Sequence, residues 1–540
     1  MRTRFPVISS AFLLLTLYLI GSAHSAFAQG TDALRMEVER LSEASRTGKP
    51  GPLRNMTEIV TIYGAHHYQF LWFADGPLAA LRTDLAKEIA RSSEHGLPLD
   101  RYHYAEITSG TLPEPMLELL FTDAFLSQVK DRYRGAVEEV DEEWYLERES
   151  IDPVTVLHAL LAEGDNLESV LHALWPQTPE YWALVEKRAT LAAADDTNSQ
   201  PVEAGPALKR GATGARVEQL QTRLMGPGAH SGTFDEALHQ SVTTFQRAAG
   251  LEADGIVGAA TLQVLNATRF SWIERLDANL ERWRWLPKDT PSTYIRVNIA
   301  AFQMRVIENN TEALAMDIIV GRPYRETPIF TEEMQYLVFF PYWNVPYSIA
   351  VKDKLPLLRQ DPAPLAAAGY EARLAGSEAF VPVNDVNWQS VRPGQFSLRQ
   401  LPGDKNALGK VKFMLPNQHS VYLHDTPDKA LFNKTERTFS SGCIRLAEPR
   451  KLIEWVLQHD KSRYLPEMDR LFESGETVTA YLKEPVPVYL VYFTAFAVGD
   501  DVVFRRDVYA RDQRIIDQLK ASNRVQRRTP STTAGLPAKH

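Results

Sequence analysis

The sequence predicts a multidomain α+β protein: a helical first part, a small three-helix unit, and a β-rich second half carrying an inserted flap. Three observations predict it. The chain has 540 residues, and single cores seldom grow beyond roughly 250–300. The apolar period changes from helical spacing to strict alternation near residue 293, as it does where helices give way to strands. A polar, proline-containing stretch, "DDTNSQPVEAGP" at 195–206, separates two apolar-periodic regions and reads as a linker. With 44% hydrophobic and 24% charged residues the composition is that of a globular protein. The net charge of −9 lacks the basic footprint of a general nucleic-acid binder.

Residues 1–28 read as a secretory signal. Arg2 and Arg4 precede an apolar run, and Ala26-Phe27-Ala28 offers a small-x-small cleavage site. The alternative is an uncleaved inner-membrane anchor, although Ser, Pro and His interrupt the run and a span wants about 20 apolar residues. No later segment is apolar enough to span a bilayer, so no membrane span is expected after cleavage.

Residues 29–194 read as a helical scaffold. Leu78, Leu81, Leu85 and Ile89 share a helix face and Gly96 stands where a C-cap would. Pro176 and Pro179 split two further helices. His66 and His67 have no partner ligands at metal-binding spacing. In the 207–268 unit, Val217, Leu220, Gln221 and Leu224 mark one amphipathic helix, and Val242, Phe245 and Gln246 a second. A turn at 251–258 leads into a third near Thr261. Gly211, Gly214, Leu220-Gln221, Gly232, Phe234-Asp235, Phe245-Gln246, Asp254-Gly255 and Val257-Gly258 resemble the peptidoglycan-binding domain of cell-wall enzymes. Residues 269–292 read as a connecting helix ended by Pro287.

The β-rich domain is expected at 293–483. Ile295, Val297 and Ile299 alternate, and Asn309-Asn310 forms a hairpin turn. The segment 351–393, rich in Pro, Ala and Leu, interrupts this pattern as the flap. Leu452, Ile453, Val456 and Leu457 face inward on a helix that follows the cysteine. Residues 484–512 read as a C-terminal hairpin, and 513–540 as a disordered tail.

The chemistry centres on Cys443, the chain's one cysteine, in "TFSSGCIRLAEP". A lone thiol in an exported chain is worth flagging as reactive, and a thiol needs a base or a depressed pKa. His424 ends the strand "VYLH", sharing a face with Tyr422, where a core strand would carry an apolar residue. His459 is expected on an exposed helix end and His419 in a polar turn. The thiol is expected at the mouth of the helix beginning near Glu448, with amides of Ser441, Gly442 and Cys443 turned toward an oxyanion. Arg445 supplies fixed charge that favours thiolate or a substrate carboxylate.

"HDTPDKALFNKTERTFSSGCIRL" resembles the signature of the L,D-transpeptidases, the YkuD catalytic domain: a histidine, a spacer, then Ser-(His or Ser)-Gly-Cys-(Ile or Val)-Arg. "VGRPYRETPIFTEEMQYLVFFPYWNVPYSIA" and "LPGDKNALGKVKFMLPN" extend the likeness to the large multidomain type of Gram-negative bacteria. The resemblance implies a periplasmic enzyme without cofactor or metal that acts on peptide stems. Cys443 would take an acyl group from a donor tetrapeptide, releasing D-alanine. It would then pass that group to the side-chain amine of a second diaminopimelate, with His424 moving protons. Asp425 would orient the imidazole, through its carbonyl or its carboxylate. Trp343, Asn344 and Tyr422 would bind substrate with Arg445. Carbapenems are expected inhibitors, and cell-wall synthases possible partners. Carboxypeptidase action or lipoprotein attachment follow from the same acyl chemistry. Two more distant alternatives are a zinc peptidase, for which HxH and HExxH spacings are missing in the second half, and a non-catalytic wall-binding scaffold.

Overall fold

The structure, a computed structural model, describes residues 30–525 apart from 50, 164–165, 195–199, 229 and 500. The expected signal, part of the expected linker and the last fifteen residues lie outside the described residues. Among the described residues no helix is long and apolar enough to cross a membrane.

The first part is helical, as its periodicity predicts. Leu85 and Ile89 are fully buried on the helix Arg82–Arg91. A short 3-10 turn then ends at Gly96, whose φ of 76° is the left-handed conformation a C-cap needs. Thr178 caps the helix Pro179–Ala193 by accepting from the Tyr181 amide. The centre is the helix Glu114–Arg134. Its buried Glu118 accepts from the Leu71, Trp72 and Phe73 amides at 2.6, 3.0 and 3.0 Å and from the Tyr63 hydroxyl at 2.7 Å. Burial still raises this carboxyl to about 7. His66 packs against His158.

The small unit holds three helices, Ala215–Met225, Glu236–Ala248 and Ala259–Leu265. Gln221 accepts from the Gly232 amide and Gln246 from the Gly255 amide, at 3.1 and 2.8 Å. Both glutamines are buried and fasten turns. The expected linker is shorter than its composition suggests. Val202 is buried in this unit's core, and its backbone exchanges two hydrogen bonds with Asn266.

The helix Arg269–Arg284 is more than a connector. Its second half is buried from Leu276 to Arg284, excepting Asp277. Arg284 pairs with Glu281, donates to the His95 carbonyl at 3.0 Å, and so ties the helix to the scaffold. Asn279 bonds to Thr494 of the last domain.

The second half is one large sheet with an insertion. Its strands are β1 Thr293–Asn298, β2 Gln303–Glu308, β3 Thr311–Gly321 and β4 Thr331–Phe339. In the insertion follow β5 Trp343–Asn344, β6 Tyr370–Leu374, β7 Val381–Pro382 and β8 Phe396–Gln400. The rest are β9 Val411–Met414, β10 Leu423–His424, β11 Thr438–Ser440, β12 Ile444–Leu446, β13 Val478–Val491, β14 Ala495–Val498 and β15 Asp501–Phe504. The large sheet has the order β11-β3-β12-β10-β9-β4-β13-β1-β2, and β2 also pairs with β3. The sheet therefore closes on itself. Asn309 and Asn310, both at positive φ (49° and 63°), turn β2 into β3.

Three expected boundaries move. The insertion is wider than 351–393: β5, β6, β7 and β8 form their own sheet, and Val345 to Leu398 supply a separate core. The division at 483/484 falls inside β13, which is continuous from the large sheet. The tail is not disordered from 513. Asp512–Val525 is a helix whose Ile515, Ile516 and Leu519 are buried.

Candidate active site

β10 and β12 run parallel, with Leu423 beside Ile444 and His424 beside Arg445. The Ile444 amide donates to the Tyr422 carbonyl at 3.1 Å. Side chains alternate between the faces of a strand. Leu423 and Ile444, both fully buried, take the core face. Tyr422, His424, Cys443 and Arg445 are thereby set on the other. The core demands of two apolar residues bring four polar side chains together.

His424 is buried, and its Nδ1 lies 2.5 Å from the Asp425 carbonyl. A carbonyl only accepts, so Nδ1 carries the proton and Nε2 is left as the basic nitrogen. The carbonyl, then, orients the imidazole. The Asp425 carboxylate has other partners: it accepts from the Lys410 amide at 2.8 Å and faces Lys429 Nζ at 2.8 Å. Gly409 makes room for it, since a Cβ there would collide with that carboxylate. Burial, then the Arg445 charge, push the His424 pKa down to about 3. The ring is neutral at pH 7 and can take a proton.

Cys443 is half-buried. Its thiol faces the Ser420 carbonyl at 3.7 Å. The Tyr422 hydroxyl lies beside the sulfur and favours its charged form, and Trp343 neighbours that hydroxyl. Burial outweighs these donors and Arg445, pushing the thiol up to about 11. Burial thus works against the thiolate that Arg445 was expected to favour. The resting pair is a neutral thiol and a neutral imidazole. Nor does Cys443 sit at a helix mouth. Strand β12 stands between it and the helix Pro449–His459, so no helix dipole acts on it directly.

The turn carrying the thiol is fastened from several sides. The Ser440 hydroxyl donates to the Cys443 carbonyl at 2.6 Å and accepts from the Gly442 amide at 3.1 Å. That bond occupies Gly442 N–H, one of three amides expected to face an oxyanion. Gly442 has φ 116°, which favours glycine. Thr327 donates to the Gly442 carbonyl at 2.8 Å and accepts from the Gly321 amide at 2.9 Å. Tyr509, from the C-terminal segment, donates to the Gly321 carbonyl at 2.7 Å.

Arg445 donates to Asp428 at 3.2 Å. Trp343 is half-buried and touches the thiol's surroundings through Tyr422, whereas Asn344 is exposed. Ser441 is exposed and accepts from Arg325 at 3.0 Å. Arg325 also grips Asp353 of the insertion with two bonds of 2.6 and 2.8 Å. His419 packs at a tilt against Tyr145 and Phe330, and His459 stacks on Trp455. Among the described residues no group of three or more His, Cys, Asp or Glu is placed to hold a metal.

Residues 292–488 match the L,D-transpeptidase catalytic domain of the YkuD family. The chain carries an L,D-transpeptidase catalytic domain. Residues 57–187 match a scaffold domain and 213–265 a putative peptidoglycan binding domain. A putative L,D-transpeptidase of Haemophilus influenzae is 29% identical over 243 residues, 45% of this chain and 49% of its own. A probable N-acetylmuramoyl-L-alanine amidase of Bacillus licheniformis is 33% identical over 96 residues, 16% of this chain and 27% of its own. The chain thus spans about half the length of the first curated relative and about a quarter of the second. A solved L,D-transpeptidase of Mycobacterium smegmatis is similar at 12% identity, covering 37% of this chain and 58% of its own with a TM-score of 0.19.

Within the transpeptidase domain, sequence reasoning missed Ser440, Thr327 and Arg325. Ser440 stands inside the quoted motif and carried a signal. Thr327 and Arg325 are more than 100 residues from the cysteine, and only the fold brings them there.

Proposed function

We propose that the protein is a peptidoglycan L,D-transpeptidase that makes direct cross-links between diaminopimelate residues. The observation that carries this reading is the shared face of Cys443 and His424, with Nδ1 bonded to the Asp425 carbonyl. The thiol proton passes to His424 Nε2 as Sγ attacks the carbonyl carbon of diaminopimelate, in its amide bond to the terminal D-alanine of a donor tetrapeptide. The amides of Ser441 and Cys443 receive the developing oxyanion. The C–N bond breaks, His424 returns the proton to the departing D-alanine amine, and a thioester remains. The side-chain amine of a second diaminopimelate attacks that thioester, its proton goes to His424, and the thiol is restored.

The resting pair is neutral, and the pKa gap within it opposes transfer, so the proton moves to His424 as Sγ attacks and the developing charge is taken up by the oxyanion donors. Arg445, on the same face, is placed to meet a substrate carboxylate; Tyr422 and Trp343 border the thiol. Residues 1–28 direct export to the periplasm, where the scaffold and peptidoglycan-binding units meet the wall and its synthases. The test is incubation of the purified chain with tetrapeptide-stem disaccharides, with products weighed by mass spectrometry. Dimers lacking one D-alanine are expected. Tripeptide monomers alone would make water the acceptor and the enzyme a carboxypeptidase. A lipoprotein added as amine donor tests attachment, and a carbapenem is expected to add its mass at Cys443.

A further inference from the structure

Three residues on neighbouring strands form one row on the face that carries the thiol. Arg445 of β12 stands beside His424 of β10, and His424 stands opposite Lys412 of β9. Opposed residues of an antiparallel pair share a face, with Cβ atoms about 4.5–5.5 Å apart. Beyond the row, the partners of Arg445 and Lys412 are the buried Ile319 and Val338. The polar part of the row is therefore a histidine between two cations.

The two cations differ in what they hold. Arg445 donates to Asp428 at 3.2 Å. Arg325 and Lys429, also near the thiol, hold Asp353 and Asp425. Lys412 is half-buried and, among the described residues, has no carboxylate partner. Its ammonium lies 5.9 Å from the centre of the Tyr422 ring, whose hydroxyl borders Sγ. Burial alone lowers its pKa, whereas a carboxylate close by would raise it. The ring offsets part of the cost of burying this charge, and a bound carboxylate would offset the rest.

The order of the strands points to one carboxylate. β12, β10 and β9 are neighbours in that order, about 4.7–4.9 Å apart. Cys443 immediately precedes β12, His424 lies on β10 and Lys412 on β9. In the reaction above the acyl carbon joins Sγ, and the departing amine takes its proton from His424. One strand further in the same direction stands Lys412. In D-alanine the carboxylate carbon is two bonds beyond that amine.

We propose that Lys412 binds the terminal carboxylate of the leaving D-alanine, and so determines that the donor stem ends one residue after diaminopimelate. The inference rests on the transpeptidase reading for the identity of the leaving group. A further residue on the stem would carry the carboxylate about 3.3–3.6 Å onward and leave an uncharged amide beside the ammonium.

The test uses the full chain and three disaccharide stems: the native tetrapeptide, one ending in D-alanine amide, and one amidated on the side-chain carboxylate of diaminopimelate. Release of the last residue gives kcat/KM for each. The wild-type chain should prefer the native stem over the terminal amide by about tenfold or more. Lys412→Met keeps the length of the side chain without its charge and should bring that ratio close to one, while Lys412→Arg should keep most of it. Should Lys412→Met melt early, Lys412→Gln supplies the same comparison. A wild-type ratio near one would overturn the proposal, as would a ratio unchanged in the uncharged variants. A Lys412 effect that follows the diaminopimelate amide instead of the terminal one would overturn it too. If the wild-type chain releases no D-alanine, the transpeptidase reading fails by itself. Calorimetry of native and terminally amidated stems on Cys443→Ala, with and without Lys412→Met, then decides the site: a native preference that disappears with the charge supports it, and equal binding sinks it.

Discussion

If thiol and imidazole are both neutral at rest, Cys443 should be a slow nucleophile toward any reagent that does not bring its own base. A thiol pushed up to about 11 is ~10⁻⁴ thiolate at pH 7, against ~3% for free cysteine with its pKa near 8.5. That is a ~300-fold deficit. A more basic thiolate is more nucleophilic, which returns ~10-fold. Alkylation by iodoacetamide at pH 7 should therefore run roughly 30-fold slower than that of free cysteine, and should rise about tenfold per pH unit through pH 9. The variants sharpen the point. Arg445 lowers the thiol pKa, so Arg445→Ala should shift the profile to higher pH. His424 carries no charge above about pH 3, so His424→Ala should leave the profile nearly unmoved while abolishing transfer. One cysteine makes the assay simple, since the adduct is weighed on the intact chain. A rate plateau below pH 8, lost in His424→Ala, would show a resting thiolate–imidazolium pair and refute the reasoning.

Three further outcomes are expected. Thr327→Val keeps volume but unpairs the Gly442 carbonyl and the Gly321 amide, a cost of roughly 2–4 kcal/mol, read in urea melts alongside slower β-lactam acylation. Asp353→Ala frees Arg325 from the insertion. The pair is partly exposed and worth about 1 kcal/mol or less, so the melting temperature should hold while KM for the donor stem rises in steady-state assays. Glu118→Leu strands three backbone amides and should destabilise the scaffold by about 3 kcal/mol or more, seen as an early transition in thermal unfolding.

Much of the site is written locally. Strand alternation around Leu423 and Ile444 and the left-handed demand at Gly442 can be read from a few neighbouring residues. So can the oddity of His424 at a strand end, and the Asn309-Asn310 turn. What escaped reading depends on distance along the chain. Thr327 and Tyr509 reach the cysteine turn only because the sheet closes through β3. The thiol's raised pKa comes from burial by segments that no local window contains. In sequence the insertion reads as a flap, since β5 and β7 have two residues each and show no alternation. The last helix was missed because "DQRIIDQLKASNRV" is polar overall, and its three buried residues emerge only against a partner.

The helix Asp512–Val525 also joins segments far apart in the chain. The Gln518 side chain exchanges hydrogen bonds with the Glu139 backbone across 379 residues of sequence. Arg282 pairs with Asp512 at 2.6 Å, and Arg511 with Glu326. The scaffold is thus completed by residues some 380 positions further along the chain. Chain closure over such a separation is slow, and the surfaces waiting for it are apolar. In a chain made N-terminus first, the scaffold would stay open along that edge until some 380 further residues had been added. Its yield should therefore depend on chaperones that shield the nascent scaffold, more than its final stability would suggest.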